Sequence, residues 1–249
     1  MITDAAIEVR HLSKIYNGSV SPAIKDISFR IEKGEIWGLL GPNGAGKTTT
    51  ISILCGLLKQ TSGDVFIHGS THEQNSNAIK QLISMVPQDI ALYPTLTAKE
   101  NLEYVGSMFG LKGDALKNRI TECLDIFGLG DVANKRVETF SGGMKRRINL
   151  IAGILHNPAV VFLDEPTVGV DVQSRKMITD FLKNLQKSGT TIIYTSHLMD
   201  EAQHLCTHIA VIDHGIIIAS GDPNALINQY QCKNLEELFL RLTGRTLRD

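Results

Sequence analysis

The chain has 249 residues, 43% hydrophobic and 20% charged, which is ordinary for a soluble globular protein with a substantial core. Its 25 Lys and Arg nearly balance 26 Asp and Glu to a net charge of −1, and the one dense basic run is Lys145-Arg146-Arg147, which argues against nucleic acid as a partner. No stretch approaches the roughly 18 continuous apolar residues of a membrane span, and the opening MITDAAIEVR lacks the basic start and apolar run of a signal peptide, so a cytoplasmic protein is expected.

IEVRHL alternates as a strand, and a second strand places Ile27, Phe29 and Ile31 on one face before a turn at Glu32-Lys33-Gly34. EIWGLL is a short apolar strand that runs into glycines, and residues 48–58 are apolar at helical spacing. Between them GPNGAGKT, that is Gly41, Pro42, Asn43, Gly44, Ala45, Gly46, Lys47 and Thr48, fits G-x-x-x-x-G-K-[ST] in its required setting after a strand and ahead of a helix. Such a loop turns backbone N–H groups inward onto a phosphate. Lys47 adds a point charge for the β and γ phosphates, and the Thr48 hydroxyl is placed to ligate Mg²⁺, with Thr49 beside it. The loop predicts a nucleoside triphosphate site.

From residue 97 to 147 the pattern is helical: Thr97 and Glu100 match a capping box, and TECLDIFGLG ends on glycines that suit a helix stop. FSGGMKRR, residues 140–147, reads as a helix start with Ser141, Gly142 and Gly143 followed by Met144 and three cations. Cations at that end oppose the macrodipole by about 0.3–1 kcal/mol each, which predicts a strong anion against it. AVVFLD is a buried strand, and Asp164 and Glu165 at its carboxyl end project differently. Asp164 suits a magnesium ligand, and Glu165 a residue that orients or deprotonates water. Ile178, Phe181, Leu182 and Leu185 form one helical stripe, TTIIYTSH is a further buried strand, and HIAVIDHGIIIAS is a hairpin turning at His214-Gly215. The four cysteines make no CxxC pair and read as small buried hydrophobes of a reducing compartment. Glu201, His204 and His208 could share a helical face, but no further strong ligand lies near them to complete a metal site. Strands alternating with helices around a helical insertion argue for an α/β core with a smaller helical subdomain.

These motifs, in this order and over nearly the whole chain, resemble the ATP-binding cassette (ABC) family of transport ATPases. The resemblance implies an α/β fold with a P-loop NTPase (RecA-like) core, an antiparallel β subdomain and an inserted helical subdomain. Residues 1–87 and 157–225 would form the ATP-binding core, 88–156 the helical subdomain and 226–249 a C-terminal tail. Tyr16 falls where the family stacks an aromatic ring on adenine. Gln88 matches a glutamine that touches magnesium and water and senses the membrane subunit, His197 a histidine at the γ-phosphate, and Asp171 a loop that crosses between subunits, here with Val168 and Val170 in place of commoner residues. FSGGMKRR becomes the signature segment, which in such proteins closes over ATP held by the lysine loop of a second cassette. The partner's γ-phosphate is then the anion that the helix start calls for.

Met144 stands where the family usually has glutamine, so the reciprocal half of a capping box is lost, at about 1 kcal/mol. Methionine here resembles the ABC-2-type exporters of drugs, antibiotics or polysaccharides, and NLEELFLRLTGRTLRD resembles the tail of drug-resistance members, with no large domain expected after it. Implied are ATP, Mg²⁺, a second cassette (a copy or a close paralogue), separate transmembrane permease subunits docking on residues 88–130, no nucleic acid, and a peripheral place on the cytoplasmic side of the membrane. The competing expectations are a soluble non-transport ABC ATPase and a nucleotide-gated regulatory module. Ribosome-acting relatives usually carry two cassettes, DNA-repair relatives insert a long coiled coil between Gly41 and Ser141, and a module without turnover has no need of Lys47, Asp164, Glu165 and His197 together.

Overall fold

The computed structural model describes residues 5–244. Among the described residues, nine strands fall into two sheets. The smaller is antiparallel, in the order β2-β1-β4, from β1 (Ala5–Lys14), β2 (Ile24–Glu32) and β4 (Ser62–Ile67). Its first two strands follow the alternation expected of them: Ile27 pairs with Leu12, Phe29 with Val9 and Ile31 with Ile7.

The larger sheet runs β5-β6-β7-β3-β8-β9, built from β3 (Ile36–Leu40), β5 (Ile83–Val86), β6 (Val160–Asp164), β7 (Thr191–Ser196), β8 (His208–Asp213) and β9 (Ile216–Gly221). Its first five strands are parallel and β9 alone is antiparallel, closing the hairpin expected at His214-Gly215. Strand period two splits this sheet's side chains between two cores. On β3, Ile36 and Leu40 face one core while Trp37 and Leu39 face the other; on β6, Val161 and Leu163 oppose Val160 and Phe162. Every strand residue from Val160 to Leu163 is buried, as a sheet covered on both faces requires.

One core lies against the small sheet and α1 (Lys47–Leu54). The other lies against a layer of helices: α3 (Ala98–Met108), α4 (Gly113–Ile126), α5 (Gly142–Ile154), α6 (Val172–Lys187), α7 (Met199–Leu205), α8 (Pro223–Gln229) and α9 (Leu235–Thr243). The Thr97 capping box is formed in both directions, and α4 stops just before Gly128 at φ 61°. α1 is shorter than the spacing over 48–58 suggested, because Gly56 turns the chain out of the helix at φ 72°. The stripe on α6 is present, with Ile178 and Leu182 fully buried and Phe181 packed on Phe127 at 4.6 Å between ring centres. Cys55, Cys123 and Cys206 are buried free thiols. Among the described residues no helix is long and apolar enough to cross a membrane. The tail reading extends to residue 249, and residues 245–249 lie outside the described residues.

Candidate active site

Parallel register fixes the site before any side chain is considered. Leu40 pairs with Ser196 and Asp164 with Thr195, so β3, β7 and β6 end level with one another, β7 between the other two. The loops that leave them are residues 41–46, 197–198 and 165–171, and the carboxyl edge of a parallel sheet is where such folds take ligands.

The first loop curls so tightly that Ala45 N donates to Pro42 O at 3.1 Å. Gly46, which caps α1, sits at φ 111°, and a Cβ there would lie 2.8 Å from the Ala23 carbonyl oxygen. Only glycine fits. Lys47 is 9% exposed, and its ammonium donates to Gly41 O at 2.6 Å and Pro42 O at 3.2 Å. Burial lowers its pKa, while the nearby Glu165 and Asp164 carboxylates oppose the shift. A desolvated ammonium held by neutral carbonyls favours an incoming phosphate strongly. Thr48 is exposed at the start of α1, and the Thr49 hydroxyl meets the Tyr16 hydroxyl at 3.1 Å. That bond holds Tyr16, 44% exposed, beside the loop, with Lys14 Nζ 5.4 Å from the ring centre.

Thr195, which the sequence reading passed over, organises the acidic end. Its Oγ1 donates to Asp164 Oδ1 at 2.6 Å, and both its Oγ1 and its carbonyl accept from Glu165 N at 3.1 and 3.2 Å. Glu165 adopts φ 48°, uncommon for a residue with a side chain, and its Oε1 meets His197 Nδ1 at 3.0 Å. The carboxylate is 12% exposed and the imidazole 45%, so the pair is sheltered on the glutamate side and open on the histidine side. With Nδ1–H donating to the carboxylate, Nε2 is left as the free face of the ring. For a divalent cation the donors at hand are all oxygen: the Thr48 hydroxyl, the Asp164 oxygen that Thr195 leaves unengaged, and the exposed Gln88 amide. Hard oxygen ligands of low count suit Mg²⁺.

The signature segment corrects the electrostatic expectation. Ser141 is the N-cap of α5, its Oγ accepting from Met144 N at 3.3 Å, and no bond returns from Met144. Two of the three cations, Arg146 and Arg147, are held by the chain's own carbonyls. Arg146 is 6% exposed and donates to Gln88 O at 2.6 Å and Pro87 O at 3.3 Å. Arg147 donates to Phe127 O at 2.8 Å and to Gly143 O at 3.3 Å. Counted from Ser141, these residues fall past the first turn, and both guanidinium groups are engaged by the chain's own carbonyls. The cations therefore do not call for an anion; the exposed hydroxyl of Ser141 and the N–H groups of Gly142 and Gly143 remain as what could receive one.

Asp171 caps α6 through Ser174, accepting from its N at 2.9 Å and its Oγ at 2.8 Å, and these bonds hold its carboxyl below the usual range. The two helix starts touch: a Cβ on Gly143 would lie 2.7 Å from Ser174 Oγ. Glu201, His204 and His208 do not share a face. Glu201 turns inward to Tyr194 and Thr167, His204 caps onto Asp200 O at 2.7 Å, and His208 lies on β8 beside Ser220.

The family model described as ABC transporter matches residues 24–168. This chain belongs to the ABC transporter family. It is an ATP-binding cassette that hydrolyses ATP. It is 47% identical over 223 residues to the linearmycin resistance ATP-binding protein of Bacillus subtilis, covering 90% of this chain and 71% of that protein. It is 37% identical over 246 residues to the doxorubicin resistance ATP-binding protein of Mycobacterium tuberculosis, covering 99% and 73%. Both are drug-resistance ATP-binding proteins, the branch that Met144 suggested. A cassette solved as a dimer in a post-hydrolysis state with ADP and phosphate superposes at TM-score 0.79 and 27% identity, over 87% of this chain and 98% of that one.

Met144→Gln restores the partner that the Ser141 cap lacks, adding about 1 kcal/mol to the start of α5 without touching the N–H groups of Gly142 and Gly143. Steady-state phosphate release by this variant is expected within about twofold of the parent, since a local gain shared by ground and transition states leaves kcat alone. An inactive Met144→Gln enzyme would refute this account of the signature.

Proposed function

We propose that two of these cassettes, copies or close paralogues, pair head to tail around ATP and drive export of a drug- or antibiotic-class compound through separate transmembrane permease subunits. The contact that carries this reading is Glu165 against His197, at the ends of strands in register with the Lys47 loop. A module that only senses nucleotide has no use for a sheltered carboxylate there. The loop from Gly41 to Thr49 cradles the phosphates, with Lys47 on the β and γ groups and Tyr16 under the adenine. Thr48, Asp164 and Gln88 would hold Mg²⁺, which when bound offsets charge on the β and γ phosphates. Glu165 orients a water in line with the γ-phosphate and takes its proton, while His197 Nε2 steadies the transferring group. Ser141, Gly142, Gly143 and Met144 present the start of α5 to the nucleotide of the opposite cassette, and Asp171 crosses beside them.

Residues 88–156 form the unit that meets the membrane subunit, and 1–87 with 157–225 the nucleotide unit. Where these two units meet, a groove of about 540 Å³ runs between β5, α3 and α5, lined by Leu57 and Met85 of the nucleotide unit and by Val105, Met108 and Phe109 of the other. Leu57 and Met108 are 70% and 68% exposed, a cost for a face left in water. The cassette would thus sit as a peripheral protein on the cytoplasmic side of the membrane. Co-expression with a six-helix membrane protein encoded beside it is expected to bring the cassette into the membrane fraction, from which Met108→Glu releases it. A cassette that stays in the supernatant with every such candidate would overturn the transport role.

A further inference from the structure

Glu165 keeps its left-handed backbone only because its surroundings over-determine it. On one side Thr195 and His197 hold it. On the other, the turn closes where Val168 N donates to Glu165 O at 3.3 Å. Inside that turn Thr167, 1% exposed, donates from Oγ1 to Glu201 Oε2 at 2.8 Å. The second oxygen of Glu201 accepts from the hydroxyl of the fully buried Tyr194 at 2.6 Å. Tyr194 belongs to β7, three residues before His197, and Glu201 stands on α7, which begins two residues after it. Burial, reinforced by the Glu201 charge, pushes the Tyr194 phenol well above its ordinary pKa, so it remains a donor.

One carboxylate thus joins the turn after β6, the strand β7 and the helix that follows His197. We infer that Glu201 is a positioning residue for ATP hydrolysis, fixing through Thr167 the turn that presents Glu165 to His197. It acts on the catalytic pair and not on the substrate. The inference rests on Glu165 being the residue that activates water.

The test is steady-state hydrolysis by the full chain in its transporter, with Thr167→Val, Glu201→Ala, Glu201→Gln and Glu165→Gln compared, and ATP binding titrated for each. Thr167→Val keeps the volume of the side chain and leaves the Tyr194–Glu201 bond in place. It is expected to lower kcat about tenfold with KM within about twofold, the signature of a contact that counts only in the transition state. Glu201→Ala should fall at least as far. Glu201→Gln keeps an acceptor for Tyr194 and offers Thr167 an N–H in place of an oxygen, so it should recover to within about threefold of the parent. A parental kcat in Thr167→Val, or a loss that appears equally in ATP binding, overturns the inference; so does a Gln variant as slow as Ala, which would make charge the operative property. If Glu165→Gln itself turns over normally, the underlying assignment of the base fails instead; if Glu165→Gln is dead while Thr167→Val is unimpaired, only the role of Glu201 falls.

Discussion

Glu165→Gln is expected to bind ATP as the parent does and hydrolyse it 10²–10⁴-fold more slowly, the usual loss when a positioned base is removed. That fall corresponds to about 2.7–5.4 kcal/mol in the barrier. The substitution is nearly isosteric. Glutamine's oxygen can still accept from His197 Nδ1, and the main-chain bonds from Glu165 N to Thr195 are untouched, so the turn should hold. What disappears is the capacity to take a proton from water. With hydrolysis blocked, the nucleotide's charge persists between the two cassettes, and the variant should accumulate as an ATP-dependent dimer in size-exclusion chromatography. Phosphate release at the parental rate would show that the proton goes elsewhere.

Ser141→Arg is expected to abolish turnover while leaving ATP binding intact. The position is exposed at the start of α5, so the protein loses only a cap, about 1 kcal/mol. The helix stays anchored by Ile148, Leu150, Ile151 and Ile154, all buried, and α1, which follows the Lys47 loop, packs in the other core. A long guanidinium side chain would cover the N–H groups of Gly142 and Gly143 and keep the opposing phosphate away. Nucleotide titration should give a dissociation constant within a few-fold of the parent, with hydrolysis reduced more than about 100-fold. The contrast with Met144→Gln, three residues on and expected to be nearly silent, separates blocking the helix end from merely altering its cap. Hydrolysis by Ser141→Arg at the parental rate would mean that α5 meets no nucleotide.

What could be read from the sequence was what the main chain writes locally. GPNGAGKT and VVFLDE are contiguous, and each follows from one strand running into one turn. The cap at Thr97 and the hairpin at His214 are likewise short-range, and all four elements are present. Strand β4 and helix α2 (His72–Leu82) escaped notice because so little of them is apolar. β4 buries only Val65 and Ile67, and α2 buries Ile79 alone and is broken at Asn75. Neither leaves a periodic stripe to detect.

Within the site, the residues missed are those whose partners are distant in the chain. Thr195 acts on residues 30 and 31 positions away, and Glu201 on one 34 away. Nothing in TTIIYTSH distinguishes Thr195 from a strand threonine until β6 is laid beside β7. The charge argument drawn from FSGGMKRR failed for the same reason: Arg146 and Arg147 were weighed against the helix's own dipole, while their partners at Gln88 and Phe127 lay 58 and 20 residues away.

Arg146 donates to two main-chain carbonyls, with the Asp89 and Glu165 charges near enough to offset part of the cost of its burial. Hydrogen bonds from a charged donor contribute about 1.5–3 kcal/mol each, and releasing both would strand a guanidinium that has little water around it. The rod that begins at Ser141 and the bend at Pro87–Gln88 consequently travel as one body. Separating the two means breaking both of those bonds.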